Sequence, residues 1–321
     1  HTAGAPPVNL KCLIEGEEES GSPSFAPFVR AHRDLLAADV ALISDTHILA
    51  EHLPSIVYAL RGLAYLEVTV TGPSYDLHSG IYGGAVNNPI NELCRMISRL
   101  QAPDGHVLIP GFYDRVRDLS PEERQDLAKI PFDRKAWLEE AGVATDWGEP
   151  DYTIVERASA RPTLDVNGIW GGYVEPGAKT VLPSQAHAKI SMRLVPDQDP
   201  KEIGRLVADH LQSIAPPSVS VEVKVLQGGE GAIVDRDSAA MRAAFKAYSE
   251  TFGVEPVFVR EGGSIPVVAM FQRELGIETV LMGFGLPDDR LHSPNEKLHI
   301  PNFHRGIETV IRFLAAFGEL G

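Results

Sequence analysis

Residues 8–23 read Val-Asn-Leu-Lys-Cys-Leu-Ile-Glu-Gly-Glu-Glu-Glu-Ser-Gly-Ser-Pro, an apolar run followed at once by carboxylates and a turn. The apolar part, residues 8–14, predicts a buried strand, and Ser22-Pro23 can cap and open a helix. The acids would then lie at the carboxyl end of a strand, where open α/β sheets place ligands. Because neighbouring carboxylates repel one another, a divalent metal would hold them ionised. A solvated acidic loop is the alternative that this stretch alone leaves open.

Length and charge limit the kind of protein. A chain of 321 residues can bury a large core and predicts two domains. The net charge of −15 argues against nucleic acid and against an anionic membrane surface as partners. We expect no membrane span and no signal peptide. Cys12 and Cys94 lie far apart in apolar contexts, which predicts buried free thiols in a reducing, cytoplasmic compartment.

The segment after the acids predicts a second strand that ends on another acid. Residues 23–38 have apolar positions at helical spacing, and residues 40–44 form a short apolar run that ends at Asp45. A strand, a helix and a strand in this order predict parallel strands with their acidic ends at one edge of the sheet. Asp45 therefore joins the acids of residues 15–19 as a candidate ligand.

A change of pattern near residue 63 predicts an inserted unit. Strands are predicted at 63–71, 186–195 and 219–226, and helices at 88–100 and 199–211, with polar helices and loops between 101 and 160. The glycine-rich residues 227–231 predict a hinge. Helices at 237–252, 265–275 and 302–317 and a buried strand at 279–282 follow it. The simplest architecture is an α/β domain interrupted by a smaller α+β domain.

Seven short motifs occur in order along nearly the whole chain. They are Glu-Glu-Ser-Gly-Ser at 18–22, Ile-Ser-Asp at 43–45, Asp-Leu-His-Ser-Gly at 76–80, Lys-Thr-Val-Leu-Pro at 179–183, Arg-Leu-Val-Pro at 193–196, Gly-Gly-Ser-Ile-Pro at 262–266 and His-Ser-Pro-Asn-Glu at 292–296. Together they resemble the dinuclear zinc peptidase family that includes carnosine dipeptidases, aminoacylases, glutamate carboxypeptidase and succinyl-diaminopimelate desuccinylase. The resemblance is strongest to the dipeptidase branch.

The resemblance implies a fold and a division of the chain. The fold class is α/β, with a phosphorylase/hydrolase-like mixed-sheet catalytic domain and an inserted α+β lid or dimerisation domain. Residues 1–62 and 230–321 would form the catalytic metallopeptidase domain, and residues 63–229 the inserted domain. A homodimer through the lid is implied as well.

The resemblance also assigns roles at the catalytic centre. Glu18 matches the family's general base, and Glu19 matches a ligand of one metal ion. Asp45 matches a ligand of the other ion, and His292 matches the terminal imidazole ligand. Two divalent ions are implied, with zinc the first choice and manganese or cobalt compatible with oxygen and nitrogen ligands. Glu17 is interpreted as a solvated neighbour.

Four further residues are assigned to the substrate. His78 is similar to the lid-domain histidine that reaches the partner subunit's active site, and Thr180, Arg193 and Ser264 resemble the residues that hold the substrate's carboxylate end. The planar fork of Arg193 suits a free carboxylate, which favours short peptides with an open C-terminus. Taken singly, each has an ordinary structural interpretation: a turn residue, a strand threonine, a surface ion pair or a helix cap.

The chemistry that these residue types allow is hydrolysis of an amide by activated water. A bound cation lowers the pKa of water from about 16 to about 7, and a nearby carboxylate can accept the proton and return it to the leaving amine. The sequence therefore predicts a metal-dependent dipeptidase that acts on short peptides, with Glu18 as the base.

One part of the family pattern is missing. The family also uses a His-x-Asp segment and a second, metal-bridging Asp, both upstream of the strand before the acids, and neither is in this sequence. Zinc sites normally take about three protein ligands each, so we expect this chain alone to lack a full dinuclear site and to be inactive without those residues. An N-acyl amino acid deacylase of the same family and a non-catalytic peptide-binding fragment remain the alternatives.

Overall fold

The computed structural model describes residues 4–18, 22–263 and 265–320. The strands in chain order are β1 Val40–Ile43, β2 Ser55–Leu60, β3 Gly62–Thr71, β4 Leu77–His78, β5 Asp165–Gly171, β6 Val181–Leu182, β7 Gln185–Leu194, β8 Ser220–Gly229, β9 Ala232–Ile233, β10 Val257–Glu261 and β11 Glu278–Leu281. The helices are α1 Phe25–Ala31, α2 Arg33–Leu36, α3 Ser79–Tyr82, α4 Pro89–Ile97, α5 Pro121–Leu127, α6 Arg134–Ala141, α7 Ile154–Ser159, α8 Pro200–Ile214, α9 Ala239–Phe252, α10 Pro266–Met270, which continues into a π-helical turn at Phe271–Leu275, and α11 Ile300–Gly318.

The first sheet is mixed, with the strand order β1-β11-β2-β10, and β9 pairs with β2. Strand β1 runs parallel to β11 and β2 parallel to β10, whereas β11 and β2 are antiparallel. Every residue of β2 is buried, which places this strand in the middle of the sheet. One face packs against α9 and α11 through Tyr58, Met241 and Phe313, and the other face packs against α10 through Val57 and Val268.

A second sheet is antiparallel, with the order β5-β7-β3-β8. Buried and partly exposed residues alternate strictly along β3 and β7, because successive side chains of a strand point to opposite faces. The buried face carries Leu66 and Ile190 and is covered by α4 and α8. The opposite face is polar and partly open, and Arg193 lies on it.

The starts of several helices follow recognisable capping rules. Helix α5 has a capping box in which Ser120 and Glu123 exchange side-chain-to-backbone hydrogen bonds, and α7 has another between Thr153 and Glu156. Helix α8 begins with Asp199 as N-cap and proline at the first position, as the sequence predicts. No helix in the described ranges combines the length and apolar character needed to cross a bilayer.

The two sheets are joined at a narrow crossing. Arg61 alone separates β2 from β3, and the chain returns through Glu230 and Gly231 between β8 and β9. A Cβ atom on Gly62 would lie 2.5 Å from the carbonyl oxygen of Gly229, and one on Gly231 would lie 2.9 Å from that of Leu60. Both positions therefore need glycine for the close approach of two backbones. The predicted hinge at 227–231 is wrong for residues 227–229, which pair with β3 as the end of β8.

The predicted strand at residues 8–14 is wrong. The segment has no strand assignment, and the exposed fractions of Leu10, Leu13 and Ile14 are 54%, 39% and 90%. An apolar run becomes a strand only where another strand satisfies its backbone groups, and no described strand pairs with this one. The interpretation of both cysteines as buried is also wrong, since Cys12 and Cys94 are free and exposed.

Candidate functional site

The structure brings His78 and Thr180 together, although they are far apart in sequence. Strands β4 and β6 form a two-stranded ribbon, and the amide of Ser79 donates to the carbonyl oxygen of Thr180 at 3.0 Å. The Nδ1 atom of His78 accepts a hydrogen bond from the amide of Gly80 at 3.0 Å, so the imidazole caps α3. Both residues are exposed; the register places His78 opposite Val181, and Thr180 directly precedes β6.

Asp45 lies just beyond the carboxyl end of β1 and is exposed. Its charge acts on Glu261, the last residue of β10, whose carboxyl is hydrogen-bonded to the backbone of His47. Burial is the main reason why the pKa of Glu261 is raised; His47 lowers that pKa and Asp45 raises it further. A desolvated carboxyl therefore sits within electrostatic range of the predicted metal ligand.

Glu18 is exposed. Its neighbour Glu17 is not merely solvated, because its carboxylate accepts hydrogen bonds from the amide of Ser24 at 3.1 Å and from the Ser24 hydroxyl at 3.3 Å. Glu17 thus satisfies donors at the start of α1, which begins at Phe25, two residues later than Pro23. Glu19 and Ser264 lie outside the described residues, and their assignments stay predictions.

His292 lies in the loop after β11, is exposed, and has a backbone φ of 55°. The buried side chain of Asp289 organises this loop, since its carboxylate accepts from the amide of Leu286 at 2.7 Å and its carbonyl accepts from the amide of Lys297 at 3.0 Å. The loop is therefore shaped by its own hydrogen bonds.

The described donors do not complete a metal centre. Within residues 4–18, 22–263 and 265–320, no group of three or more His, Cys, Asp or Glu side chains lies close enough to hold a metal ion. Asp45 and His292 are of the right ligand types, but a zinc site normally needs about three protein ligands. The assignment of Glu19, Asp45 and His292 as ligands stays a prediction.

Arg193 lines a cavity of about 410 Å³ next to the crossing between the sheets. Arg61, the residue that joins β2 to β3, lines the same cavity. Burial, and then the charge of Arg193, lower the pKa of Arg61 to about 10. Two guanidinium groups thus face one space that has the size of a small-molecule site.

Sequence reasoning missed three residues here: Arg61, His47 and Glu261. Glu261 directly precedes the Gly-Gly-Ser motif, and Arg61 stands between an apolar run and a glycine. In both cases, a charged residue directly after an apolar stretch of sequence could have indicated a functional residue.

Comparisons with known proteins agree with this architecture. The model of the M20 peptidase dimerisation domain matches residues 58–219. A Cys-Gly metallodipeptidase of Schizosaccharomyces pombe is 37% identical over 94% of the chain and 64% of its own length, and the human Beta-Ala-His dipeptidase is 32% identical over 98% of the chain and 63% of its own length. The chain spans slightly less than two thirds of the length of these relatives.

Solved structures give the same result. Human carnosine dipeptidase 1 superposes with a TM-score of 0.76 at 31% identity, covering 98% of this chain and 67% of that one. The M20 metallo-carboxypeptidase Sso-CP2 of Sulfolobus solfataricus gives a TM-score of 0.84 at 30% identity, covering 95% and 69%. The fold is therefore the mixed α/β fold of M20 peptidases that carry a dimerisation domain, as the sequence predicts. The chain belongs to the M20 peptidase family, on its dipeptidase branch.

Proposed function

We propose that this protein hydrolyses the amide bond of dipeptides and other short peptides with the help of divalent metal, zinc in the first place. The observation that carries the proposal is that the similarity to proteins named as dipeptidases spans 94–98% of the chain and so covers both sheets. The cavity beside Arg193 supports it, because an arginine facing a small-molecule cavity suits the carboxylate of a peptide's C-terminus.

The proposed roles follow the sequence motifs. Glu18 accepts a proton from the attacking water and returns it to the leaving amine. His78 helps to stabilise the tetrahedral oxyanion, and Thr180, Arg193 and Ser264 hold the carboxylate end of the substrate. A bound divalent ion would polarise the amide carbonyl and acidify water; Glu19, Asp45 and His292 are its proposed ligands.

Replacement of Glu18 tests this proposal. Glu18→Gln in the full-length protein should keep fold and metal content and lower kcat by about two to four orders of magnitude, because a base has been removed. Glu140→Gln, an exposed position on α6, is the matched control. Mass-spectrometric metal analysis and hydrolysis of Cys-Gly and β-Ala-His provide the readout, and full turnover in Glu18→Gln would remove Glu18 from its role.

Two alternatives have their own readouts. An N-acyl amino acid deacylase would release acetate or succinate from N-acylated amino acids faster than it cleaves dipeptides. A non-catalytic peptide-binding protein would bind peptide in calorimetry while holding no metal. Measuring the hydrolysis of dipeptides and of N-acylated amino acids with the same protein preparation separates these possibilities.

We also propose that residues 63–229 form an inserted lid through which two copies associate, with residues 1–62 and 230–321 as the catalytic domain. The family match over residues 58–219 supports this division. The ribbon region exposes several large apolar side chains, among them Tyr75, Ile81 and Val174, with exposed fractions of 64%, 72% and 79%. Apolar surface of this kind favours a protein partner.

Association is tested by light scattering after size exclusion. The unmodified chain should have the mass of a dimer, and Ile81→Asp should have the mass of a monomer with unchanged circular dichroism. A monomeric unmodified chain would contradict the proposal. A cytoplasmic location is proposed together with it, on the basis of the two free thiols.

A further inference from the structure

The two sheets are joined by more than the backbone crossing. The outgoing and returning strands pass each other at Gly62 and Gly231, where the backbones are in contact. Two chain crossings at a single place would, on their own, leave the sheets free to rotate about it, as hinged domains do. Residues 107–161, which lie between α4 and β5, make a second connection, and we call them the brace.

One end of the brace belongs to the core of the antiparallel sheet. Val107, Ile109 and Phe112 are buried in the same apolar cluster as the inward side chains of β3 and β7. The carbonyl oxygen of Phe112 also accepts a hydrogen bond from the side-chain amide of Gln198 at 2.8 Å, and Gln198 is only 2% exposed. Close-packed buried contacts therefore fix this end against the sheet.

The other end of the brace lies on the mixed sheet. The Asp126 carboxylate accepts a hydrogen bond from Arg236 Nη1 at 2.6 Å, and the Glu123 carboxylate contacts the guanidinium of Arg260 in β10. Ile130 packs against the apolar cluster between this sheet and α10. The side chains of both ion pairs are at most 25% exposed, so salt screens them little.

A row of alternating cations and aromatic rings connects the two ends. The Arg161 guanidinium lies 5.1 Å from the centre of the Tyr113 ring and 4.3 Å from that of Tyr152. The Arg124 guanidinium lies 4.8 Å from the same Tyr152 ring. Tyr113 directly follows Phe112, and Arg124 belongs to α5, so the row reaches from one end of the brace to the other. Such contacts are strongest where water is excluded, as it is around the buried Arg161.

Each arginine of this row has its own carboxylate. Arg161 forms two hydrogen bonds with Glu149, at 2.6 and 2.7 Å, and Arg124 donates to Glu156 at 3.1 Å. Glu156 is buried and also belongs to the capping box of α7. The charges are therefore balanced within the brace, and the two-bond geometry fixes the plane of the Arg161 guanidinium between its two rings.

We propose that the brace holds the antiparallel sheet and the mixed sheet in one fixed relative orientation, so that the crossing at Gly62 and Gly231 does not act as a hinge. A rotation at the crossing would have to separate the Tyr152 ring from one of its arginines or pull one end of the brace from its sheet. Packed side chains have few alternative arrangements that would allow this. Any closure over a substrate by swinging one sheet within a chain would first have to break the brace.

A distance measurement between two nitroxide labels tests this rigidity. Gln212→Cys on α8 and Ala315→Cys on α11 are exposed attachment sites on helices that pack against different sheets, in a protein whose exposed Cys12 and Cys94 are replaced by serine. The labelled full-length protein is diluted into unlabelled protein, so that only distances within one chain count. Pulsed electron paramagnetic resonance should give one narrow distance distribution, and a broad or two-peaked distribution would overturn the inference.

Breaking the brace gives the second half of the test. Tyr152→Leu combined with Glu123→Gln removes the ring between the two arginines and the charge at the second end, and should widen the distribution by more than about 2 Å, a displacement typical of domain rearrangements. Tyr75→Leu, at a residue that is 64% exposed, removes a ring outside the brace and should leave the width unchanged.

An unchanged width in the folded double variant would contradict the role of the brace. Where circular dichroism shows that the double variant is unfolded, Arg124→Gln takes its place with the same expected widening, because it removes one of the two cations on the Tyr152 ring. Neither measurement involves peptide hydrolysis, so its result is independent of the proposed function.

Discussion

The ion pair between Arg260 and Glu123 connects the segment of residues 101–160, which contains α5, to the mixed sheet. The Arg260 guanidinium contacts the Glu123 carboxylate and donates to the Tyr58 hydroxyl at 2.8 Å, and that hydroxyl donates to Glu123 at 3.1 Å. Glu123 lies in α5, whereas Tyr58 and Arg260 lie in β2 and β10. We predict that Glu123→Gln loosens α5 from the sheet.

The size of the effect follows from burial. The side chains of Arg260 and Glu123 are only 7% and 17% exposed, so glutamine would leave a desolvated guanidinium without its counter-charge. Breaking a buried pair in this way costs about 3–5 kcal/mol, and we expect about 3 kcal/mol because glutamine keeps the cap on Ser120. Arg260→Met leaves the Glu123 carboxylate, the more exposed partner, without its counter-charge, and should lower the free energy of unfolding by about 2 kcal/mol.

The pH dependence gives an independent check. Burial raises the pKa of Glu123, but the hydrogen bond and charge of Arg260 outweigh it, so the pKa lies below its usual value. A lowered carboxyl pKa contributes stability that is present above the pKa of the unfolded chain, near 4.5, and is lost as pH falls through the lowered value. The difference between the wild type and Glu123→Gln should therefore shrink below about pH 4.

Urea unfolding of the two single variants and of the double variant, followed by circular dichroism, measures the coupling. The double variant should be about 2 kcal/mol more stable than the sum of the single losses predicts, and Glu123→Gln alone should lower the first melting transition by roughly 5 °C. Hydrogen exchange in residues 121–127 should rise in parallel. Additive losses within about 0.5 kcal/mol would refute the argument.

Three further predictions concern the crossing, an acid-sensitive pair and the ribbon. Gly62→Ala should destabilise by about 1–3 kcal/mol in chemical denaturation, because its Cβ would lie 2.5 Å from a carbonyl oxygen, whereas Gly168→Ala, where nothing lies within 4 Å, should not. Glu149→Gln should destabilise at pH 7 and progressively less below about pH 4, since Arg161 outweighs burial and lowers the pKa of Glu149; an unchanged pH profile would contradict this. His78→Ala should lower kcat of the proposed peptide hydrolysis by about two orders of magnitude with intact metal content, and unchanged turnover would contradict a role for the imidazole.

Much of the fold follows from local pattern. Strands β3 and β7 alternate apolar and polar residues, and α8 carries its own start signals, so each is recognisable alone. Strand β2 was not predicted, because all six of its residues are buried and no alternation marks it. Residues 8–14 show the reverse error: their composition favours a strand, but pairing is a property of the whole sheet.

The site was predictable only where motifs name residues. The proximity of His78 to Thr180 and of Arg61 to Arg193 depends on strand pairing over more than a hundred residues, which no local spacing encodes. Only the structure shows that Arg61 lines the same cavity as Arg193, because an arginine in a sequence gives no sign of a second guanidinium beside it. Motif resemblance and three-dimensional packing therefore supplied different parts of the site.

The narrow crossing at Arg61 and Gly231 has a consequence for how such a molecule can be built. The outgoing and returning backbones touch at Gly62 and Gly231, so the chain leaves and re-enters the mixed sheet at one place. For the mixed sheet, the 168 or so residues in between therefore act like the loop of a hairpin, and closing this loop costs little entropy. We expect that these intervening residues can be moved to another protein, shortened to a tight turn or replaced by another domain, while β2 and β9 keep their pairing in the mixed sheet.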